Sequence, residues 1–168
     1  MSTLNDLAAR LEAAVDAILA LRTRVEAAAP WPLAELYGTE AEASWGPPEL
    51  LAHLGEMLPF WLGEAERILE GQSGSPVPFG RVASDSVRIG IIGRDRTVPL
   101  RELFARLGVD GARVARRMRE FSDADAAREG LHPVRGVTPV AVLFERLVTG
   151  HLEEHVIQLR EILDARGI

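Results

Sequence analysis

Apolar residues recur at steps of three and four along four stretches of this chain, with polar residues between them. This spacing collects the apolar side chains on one face of a helix, so each stretch predicts an amphipathic helix. The first stretch covers residues 4–25, and Pro30 ends it because proline cannot continue the hydrogen-bond ladder. The linker at residues 31–46 is expected to pack against the helices. It contains three aromatic residues: Trp31, Tyr37 and Trp45.

The second helix is expected to begin at Pro47, because the run Pro47-Pro48-Glu49 suits a first helical turn. Pro59 lies inside this stretch, yet the apolar spacing continues on both sides of it. A proline ring clashes with the carbonyl group one turn back, so we expect a kink there rather than an end. Gly71 is the expected C-terminal cap of this helix.

The third and fourth helices lie in the second half of the chain. The third begins near Pro99, and Gly108 and Gly111 predict a possible break within it. The fourth is expected to begin with Thr138 as the N-cap and Pro139 at the first helical position, a common arrangement at helix starts.

Four amphipathic helices without a convincing set of strands predict an all-α fold. We expect an antiparallel four-helix bundle that forms a single domain over residues 1–168. The connection between the second and third helices, residues 72–97, is long for such a bundle, and only residues 87–92 are apolar enough for a strand. Its apolar side chains would find no place to bury on one bundle, which predicts a homodimer. These side chains are Phe79, Val87, Ile89, Ile91 and Ile92.

The composition excludes several classes of function. The 168 residues include no cysteine, which rules out disulfides, thiolate metal sites and a cysteine nucleophile. All 19 basic residues are arginine, so a Schiff-base lysine and a Walker A lysine are excluded as well. The net charge of −6 disfavours nucleic acid as a partner, and no apolar run is long enough to span a membrane. Charged residues interrupt the first apolar stretch, so we expect no signal peptide and a cytoplasmic protein.

The candidate chemistry lies in the four histidines of the chain. His151 and His155 are four residues apart, and the apolar spacing of the fourth helix predicts that both face the core. Two adjacent buried imidazoles need partners, and metal coordination with His53 as a third ligand would provide them. Two ordinary core histidines bonded to backbone carbonyls remain the alternative. His132 precedes a proline, so we expect it in a turn, where it meets solvent or caps the chain.

The run His151-Leu152-Glu153-Glu154-His155 also fits the inverted zinc-peptidase motif H-x-x-E-H. Such peptidases take a third ligand far downstream, and the chain that follows His155 is too short to supply it. We therefore interpret Glu153 and Glu154 as the solvated flank of an amphipathic helix.

Three segments resemble the DinB/YfiT-like superfamily. They are residues 44–54 (SWGPPELLAHL), residues 78–81 (PFGR), and residues 131–138 (LHPVRGVT) followed by His151-x-x-x-His155-x-x-Gln158. The resemblance implies a four-helix bundle, often dimeric, with a divalent metal ion on three histidines. Position by position, these ligands would be His53, His151 and His155, and His132 would not be one. Some members transfer low-molecular-weight thiols, and others are hydrolases.

These observations together predict a divalent-metal-dependent enzyme of the thiol S-transferase or hydrolase type that acts on a small molecule. The metal would be zinc, nickel, iron or manganese, and a thiol would have to be a cosubstrate because the chain has no cysteine. The alternatives are a metal- or small-molecule-binding stress protein without turnover, and a dimeric interaction module. Glu56 is the candidate general base, and Arg81 and Arg135 are candidate substrate-binding residues. Further candidates, for which a solvated surface charge is the simpler interpretation, are Glu49, Arg88 and Arg94.

Overall fold

The helices of the protein follow the apolar stretches of the sequence. The computed structural model describes residues 3–38 and 41–168, of which 68% are helical. The α-helices are α1 (Leu4–Leu19), α2 (Arg22–Ala27), α3 (Pro47–Glu70), α4 (Ser86–Asp95), α5 (Leu100–Glu120), α6 (Asp123–Ala126), α7 (Val140–Leu143) and α8 (Gly150–Ala165). A 3-10 turn (Ala41–Ser44) precedes α3, and a π-helical turn (Phe144–Thr149) joins α7 to α8. The strands are β1 (Val77–Pro78), β2 (Glu129–His132) and β3 (Gly136–Pro139).

One apolar core lies between the long helices. Helix α1 packs against α5 and α8, and α3 packs against α5 and α4. The largest fully buried side chains include Trp45, Phe104 and Phe144. Burial of the apolar face of each helix supplies most of the stability that a helix gains in a protein. The first predicted helix is divided, because α1 ends at Leu19 and α2 begins at Arg22.

The linker before α3 packs against the helices through two of its three aromatic residues. The Trp45 ring is buried, and its indole N–H donates to the Glu35 carbonyl at 3.1 Å. The indole N–H of Trp31 donates to the Val25 carbonyl at 2.9 Å. Tyr37 is 70% exposed, so it takes no part in this packing.

A small three-stranded sheet corrects the expectation of a purely helical fold. Strand β1 pairs in parallel with β2, and β2 pairs antiparallel with β3. The strands are two to four residues long, too short for alternation of apolar and polar residues to reveal them. Thr138 lies in β3, where its hydroxyl donates to the Gly136 carbonyl at 3.0 Å. The helix therefore begins at Val140 with Pro139 as the N-cap, one residue later than predicted.

The long connection between α3 and α5 contains a helix where a strand was the only candidate. Asp85 caps α4 by accepting from the Arg88 backbone N–H at 2.9 Å, a signal that residues 87–92 alone do not contain. Phe79, Ile89 and Ile92 are buried in the core of their own chain. The apolar surface from which the homodimer was inferred is thus largely covered within one chain.

Helix α3 runs through Pro59 without interruption, and Gly71 follows it as its C-cap in an extended conformation. Helix α5 is also continuous, so the break predicted near Gly108 and Gly111 does not occur. At Gly111 the side chain of Val15 on α1 approaches so closely that an added Cβ atom would lie 2.7 Å from Val15 Cγ2. This glycine allows close packing of two helices and does not end one.

The two glycines of α5 predict opposite effects of the same substitution. We expect Gly111→Ala to lower the free energy of unfolding by about 1–3 kcal/mol, because the added methyl group overpacks the contact with α1. At Gly108 the added Cβ would lie 3.6 Å from Leu19 Cδ1, an ordinary contact. Gly108→Ala should therefore stabilise the protein by up to about 1 kcal/mol through helix propensity. Urea unfolding of both variants tests this pair, and equal effects would contradict the close contact at Gly111.

Candidate metal centre

The structure brings together all three histidines that the sequence predicts as ligands. His53 comes from the first half of α3, and His151 and His155 come from the first two turns of α8. The Nε2 atom of His151 lies 3.0 Å from Nε2 of His53 and 3.0 Å from Nε2 of His155. Glu42 joins them from the linker, with Oε1 at 3.2 Å from His53 Nε2. One ligand atom from each of the four residues lies within 4.8 Å of the others, so the cluster could hold a metal ion.

The π-helical turn before α8 determines which face of that helix each of its two histidines occupies. The N–H of Gly150 bonds to the Glu145 carbonyl five residues earlier, which widens this turn of the helix. A Cβ atom on residue 150 would lie 2.8 Å from that carbonyl oxygen, so glycine is needed here. After the turn, His155 falls on the buried face of α8, and the side chain of His151 lies at its edge with 26% exposure.

Hydrogen bonds on the far side of two imidazoles determine their tautomers. His53 Nδ1 lies 3.1 Å from Glu56 Oε1, and His155 Nδ1 lies 3.0 Å from the amide oxygen of Gln158. The amide nitrogen of Gln158 donates to the Glu42 carbonyl at 2.9 Å, which turns its oxygen toward His155. Glu56 and Gln158 are both acceptors, and the donor Arg88 Nη2 lies farther from His53 Nδ1, at 3.4 Å. We therefore assign the proton to each Nδ1, so that each Nε2 presents a lone pair to the centre.

A cation at the centre of this cluster would offset the repulsion between its acceptor atoms. The Nε2 lone pairs of His53 and His155 and the Glu42 carboxylate are all acceptors, and their mutual repulsion is costly because both imidazoles are buried. One proton on His151 could satisfy one neighbour but not all of them. A set of imidazole and carboxylate ligands fits zinc, nickel, iron or manganese. The residues present therefore fit a divalent metal ion.

Glu42 is the cluster member that sequence reasoning missed. It lies in an acidic linker, where one glutamate has no spacing that distinguishes it from the others. Its position depends on tertiary contacts, because Arg88 Nη2 on α4 donates to Glu42 Oε1 at 2.6 Å. The Arg88 guanidinium is itself buried and also donates to the Ala83 carbonyl at 2.8 Å. The aromatic residues of the linker, which include Trp45 three residues later, were a sequence signal that it packs against the helices.

Glu56 contacts His53 on the side of the imidazole that faces away from the cluster. Its carboxylate accepts from Arg81 and contacts His53 Nδ1, and it does not line the cavity above the histidines. Burial raises its pKa, although Arg81 opposes the shift. The contact with Nδ1 shows that Glu56 orients His53, and its general-base role stays a prediction. Arg81 also lies over the Phe60 ring, at 3.7 Å from its centroid.

A cavity of about 670 Å³ opens beside the cluster, and its lining includes His53, His151 and Glu42. Two predicted substrate-binding residues, Arg81 and Arg135, line it as well. Two other candidates do not contribute. Arg94 pairs with Asp95 and has a 73% exposed side chain, and Glu49 is fully buried under the linker.

His132 lies in the cavity wall. Of the two roles expected for it, contact with solvent was wrong and capping of the chain was right. It is only 6% exposed, between the rings of Trp61 and Phe79. Its Nδ1 accepts from the backbone N–H groups of Val134 and Arg135, both at 3.2 Å, so it caps the turn between β2 and β3. No ligand atom of His132 belongs to the metal cluster.

Burial of the imidazoles predicts a dependence of stability on pH. Burial lowers the pKa of His155 from 6.5 to about 4 and holds the pKa of His53 well below its ordinary value. Between pH 6.5 and about pH 4, the unfolded chain binds a proton at His155 that the folded chain does not bind. The free energy of unfolding of the metal-free protein should therefore fall as the pH falls through this window, on the order of 3 kcal/mol for this residue.

The His155→Gln variant isolates this contribution because glutamine does not titrate. Urea unfolding from pH 7.5 to pH 4.5 should give a shallower loss of stability in the variant than in the unaltered protein. Identical pH slopes would contradict the burial of a neutral His155.

The fold and the cluster define a mostly helical protein with a candidate metal centre of three histidines and one glutamate. A model of the DinB superfamily matches residues 3–159, and the chain belongs to that family, as the resemblance indicated. No curated protein and no solved structure matches the chain significantly. In the described residues, no helix is both long and apolar enough to cross a membrane.

Proposed function

We propose that the protein is a divalent-metal-dependent enzyme that acts on a small molecule. One observation carries this proposal: the convergent acceptor atoms of His53 and His151 lie at the wall of an open cavity of about 670 Å³. A cavity of this size accommodates a small organic ligand, and an accessible ligand cluster beside it is typical of catalytic metal sites.

The ligands in this proposal are His53, His151 and His155, and Glu42 is a fourth that could exchange with substrate. A divalent cation held there would supply a Lewis acid that lowers the pKa of a coordinated water or thiol. Glu56 holds the Nδ1 proton of His53, and Gln158 holds that of His155, so both rings keep their orientation.

The proposed reaction is hydrolysis or the transfer of a low-molecular-weight thiol. With no cysteine in the chain, the protein could not supply a thiol nucleophile of its own. Trp61 and Leu147 form apolar parts of the cavity wall and would exclude water around a bound substrate. In the same proposal α1, α3, α5 and α8 form an antiparallel four-helix bundle, and the protein acts in the cytoplasm without nucleic-acid partners. The homodimer in this proposal rests on the resemblance to the family, because the apolar connection is largely buried within one chain.

A metal-binding protein without turnover is the second candidate, and Glu42 favours it. A fourth protein ligand would close the coordination shell, as in structural sites. The contact between Glu42 and Arg88 weighs against a permanent ligand, because the same carboxylate oxygen accepts from the guanidinium at 2.6 Å.

Elemental analysis of the purified protein, followed by an activity screen, tests the proposal. We expect about one metal ion per chain and turnover of a thiol acceptor with mycothiol or bacillithiol, or of a hydrolysable ester or amide. Stoichiometric metal without activity in either screen would favour the second candidate. Absence of metal after incubation with zinc, nickel, iron and manganese would refute both.

A further inference from the structure

The cavity beside the histidine cluster is rich in arginine, although the protein as a whole carries a net charge of −6. Four arginines and two glutamates line it. The arginines are Arg81, Arg88, Arg135 and Arg146. A concentration of positive charge in one concave site of an acidic protein attracts anionic ligands and repels cationic ones.

Two of these arginines, Arg81 and Arg88, form an inner pair whose charges are already neutralised by carboxylates. Arg81 pairs with the buried Glu56, and Arg88 pairs with Glu42 at 2.6 Å. Both guanidinium groups are largely buried, with side-chain exposures of 10% and 9%. These two residues therefore hold the wall of the cavity together and have little capacity left for a ligand.

The other two arginines, Arg135 and Arg146, form an outer pair that is available to a ligand. Arg135 lies on the turn between β2 and β3, and Arg146 lies on the π-helical turn. Neither side chain forms an ion pair with any other residue in the described parts of the chain, 3–38 and 41–168. Most other arginines in those parts pair with a carboxylate or donate to backbone carbonyls, so two free guanidinium groups at one cavity are unusual. Glu154 shares this wall, but its side chain is 77% exposed at the rim.

The cavity also has apolar lining, supplied by Trp61, Val82, Val134 and Leu147. A ligand that fills the cavity would therefore contact the two free arginines, this apolar surface and the histidine cluster.

We infer that the cavity binds a small organic anion, whose carboxylate or phosphate group pairs with Arg135 and Arg146. Guanidinium groups bind both kinds of oxyanion through paired N–H donors, so the two chemistries share this site. The inference rests on the proposed function only for the role of the histidines, because the arginines bind the anion whether or not a metal is present.

Isothermal titration calorimetry with three probes tests this inference. Glutarate provides carboxylates, glycerol 3-phosphate provides a phosphate, and glutaramide is the uncharged counterpart of glutarate. We expect at least one of the two anions to bind and glutaramide not to bind. The binding should weaken as NaCl increases, because the contact is charged. The tighter of the two anions identifies the preferred oxyanion.

Substitution of the two arginines locates the binding. Arg135→Gln and Arg146→Gln should each raise the Kd of the bound anion about tenfold or more, and the double variant more than either. Arg160→Gln is the matched control, because Arg160 is exposed on α8 and does not line the cavity. It should leave the Kd unchanged. Unfolding temperatures should stay the same in all of these variants, since none of the three side chains packs in the core.

The titrations are carried out with and without zinc, and the metal content of each sample is measured. If neither anion binds, if glutaramide binds as well as glutarate, or if both arginine variants bind as the unaltered protein does, the inference is overturned. Anion binding that depends on the arginines in a protein that takes up no metal would support this inference and refute the proposed function. Full metal uptake without arginine-dependent binding would overturn this inference and leave the proposed metal site standing.

Discussion

Replacement of His53, His151 or His155 by alanine is expected to weaken metal binding by orders of magnitude. Each substitution removes one imidazole from a cluster in which the Nε2 atoms lie 3.0 Å from a neighbour. The remaining carboxylate ligand, Glu42, is shared with Arg88 and compensates poorly for the loss. His132→Ala is the matched control. It removes an imidazole from the wall of the same cavity, but this imidazole uses its Nδ1 to cap a turn.

Metal per chain and the Kd for zinc at pH 7.5 measure this effect. His132→Ala should keep full occupancy while it lowers the unfolding temperature, because it leaves a gap between Trp61 and Phe79. Glu56→Gln should keep the metal with an affinity reduced about 10- to 100-fold, since it weakens the contact that orients His53. An empty site in His132→Ala, or a full one in His53→Ala, would show that the assignment of ligands is wrong.

The second large effect is expected for Glu49→Ala. This carboxylate is fully buried, and it accepts from the backbone N–H groups of Ala34 at 3.0 Å and Gly46 at 3.2 Å and from Arg96 at 3.3 Å. Its removal leaves two backbone donors without an acceptor. It also takes the carboxylate from the mostly buried Arg96, which then keeps only the Ala34 carbonyl as a partner at 2.7 Å. We expect the free energy of unfolding to fall by about 3 kcal/mol or more.

Glu66→Ala on the same helix is the control for this prediction. Glu66 contacts Arg117 at 3.1 Å, but its side chain is 39% exposed, so its loss should cost less than about 1 kcal/mol. Urea unfolding compares the two variants. Similar losses would mean that the buried contacts of Glu49 contribute no more than a surface ion pair.

Glu49 also connects stability to the candidate site. Its two backbone contacts hold the linker that carries Glu42 against the start of α3. Glu49→Ala should therefore weaken zinc binding modestly even where the protein remains folded, whereas Glu66→Ala should not. The sequence suggested Glu49 as a site residue because it lies near His53, but its contacts assign it to the support of the linker.

The spacing of apolar residues and the positions of prolines predicted where the long helices lie. The apolar periodicity placed the long helices, and the prolines at residues 47 and 48 marked the start of α3. The same reasoning failed where several conformations are locally compatible. Residues 87–92 are as apolar as a strand, and only the Asp85 cap together with the burial of Ile89 and Ile92 makes them helical. The short strands of the sheet exist because distant segments pair, which no local pattern records.

The sequence by itself determined which side chains could carry chemistry. The absence of cysteine and lysine, the spacing of His151 and His155, and their position after an apolar stripe are properties of the chain that need no coordinates. They limited the candidate metal-ligand side chains to imidazole and carboxylate groups. A helical spacing of four residues brings two imidazoles to one face wherever the helix lies.

Only the tertiary structure decided what surrounds those imidazoles. The contact of His53 with α8 and the approach of Glu42 to His53 join residues in different elements of the fold. The π-helical turn before Gly150 also depends on how the last helix packs. These features follow from the balance of burial and hydrogen bonding over the whole core, because each polar group that folding removes from water must find a partner there. That balance is a property of the folded chain, and it places Glu42, His53, His151 and His155 around one point.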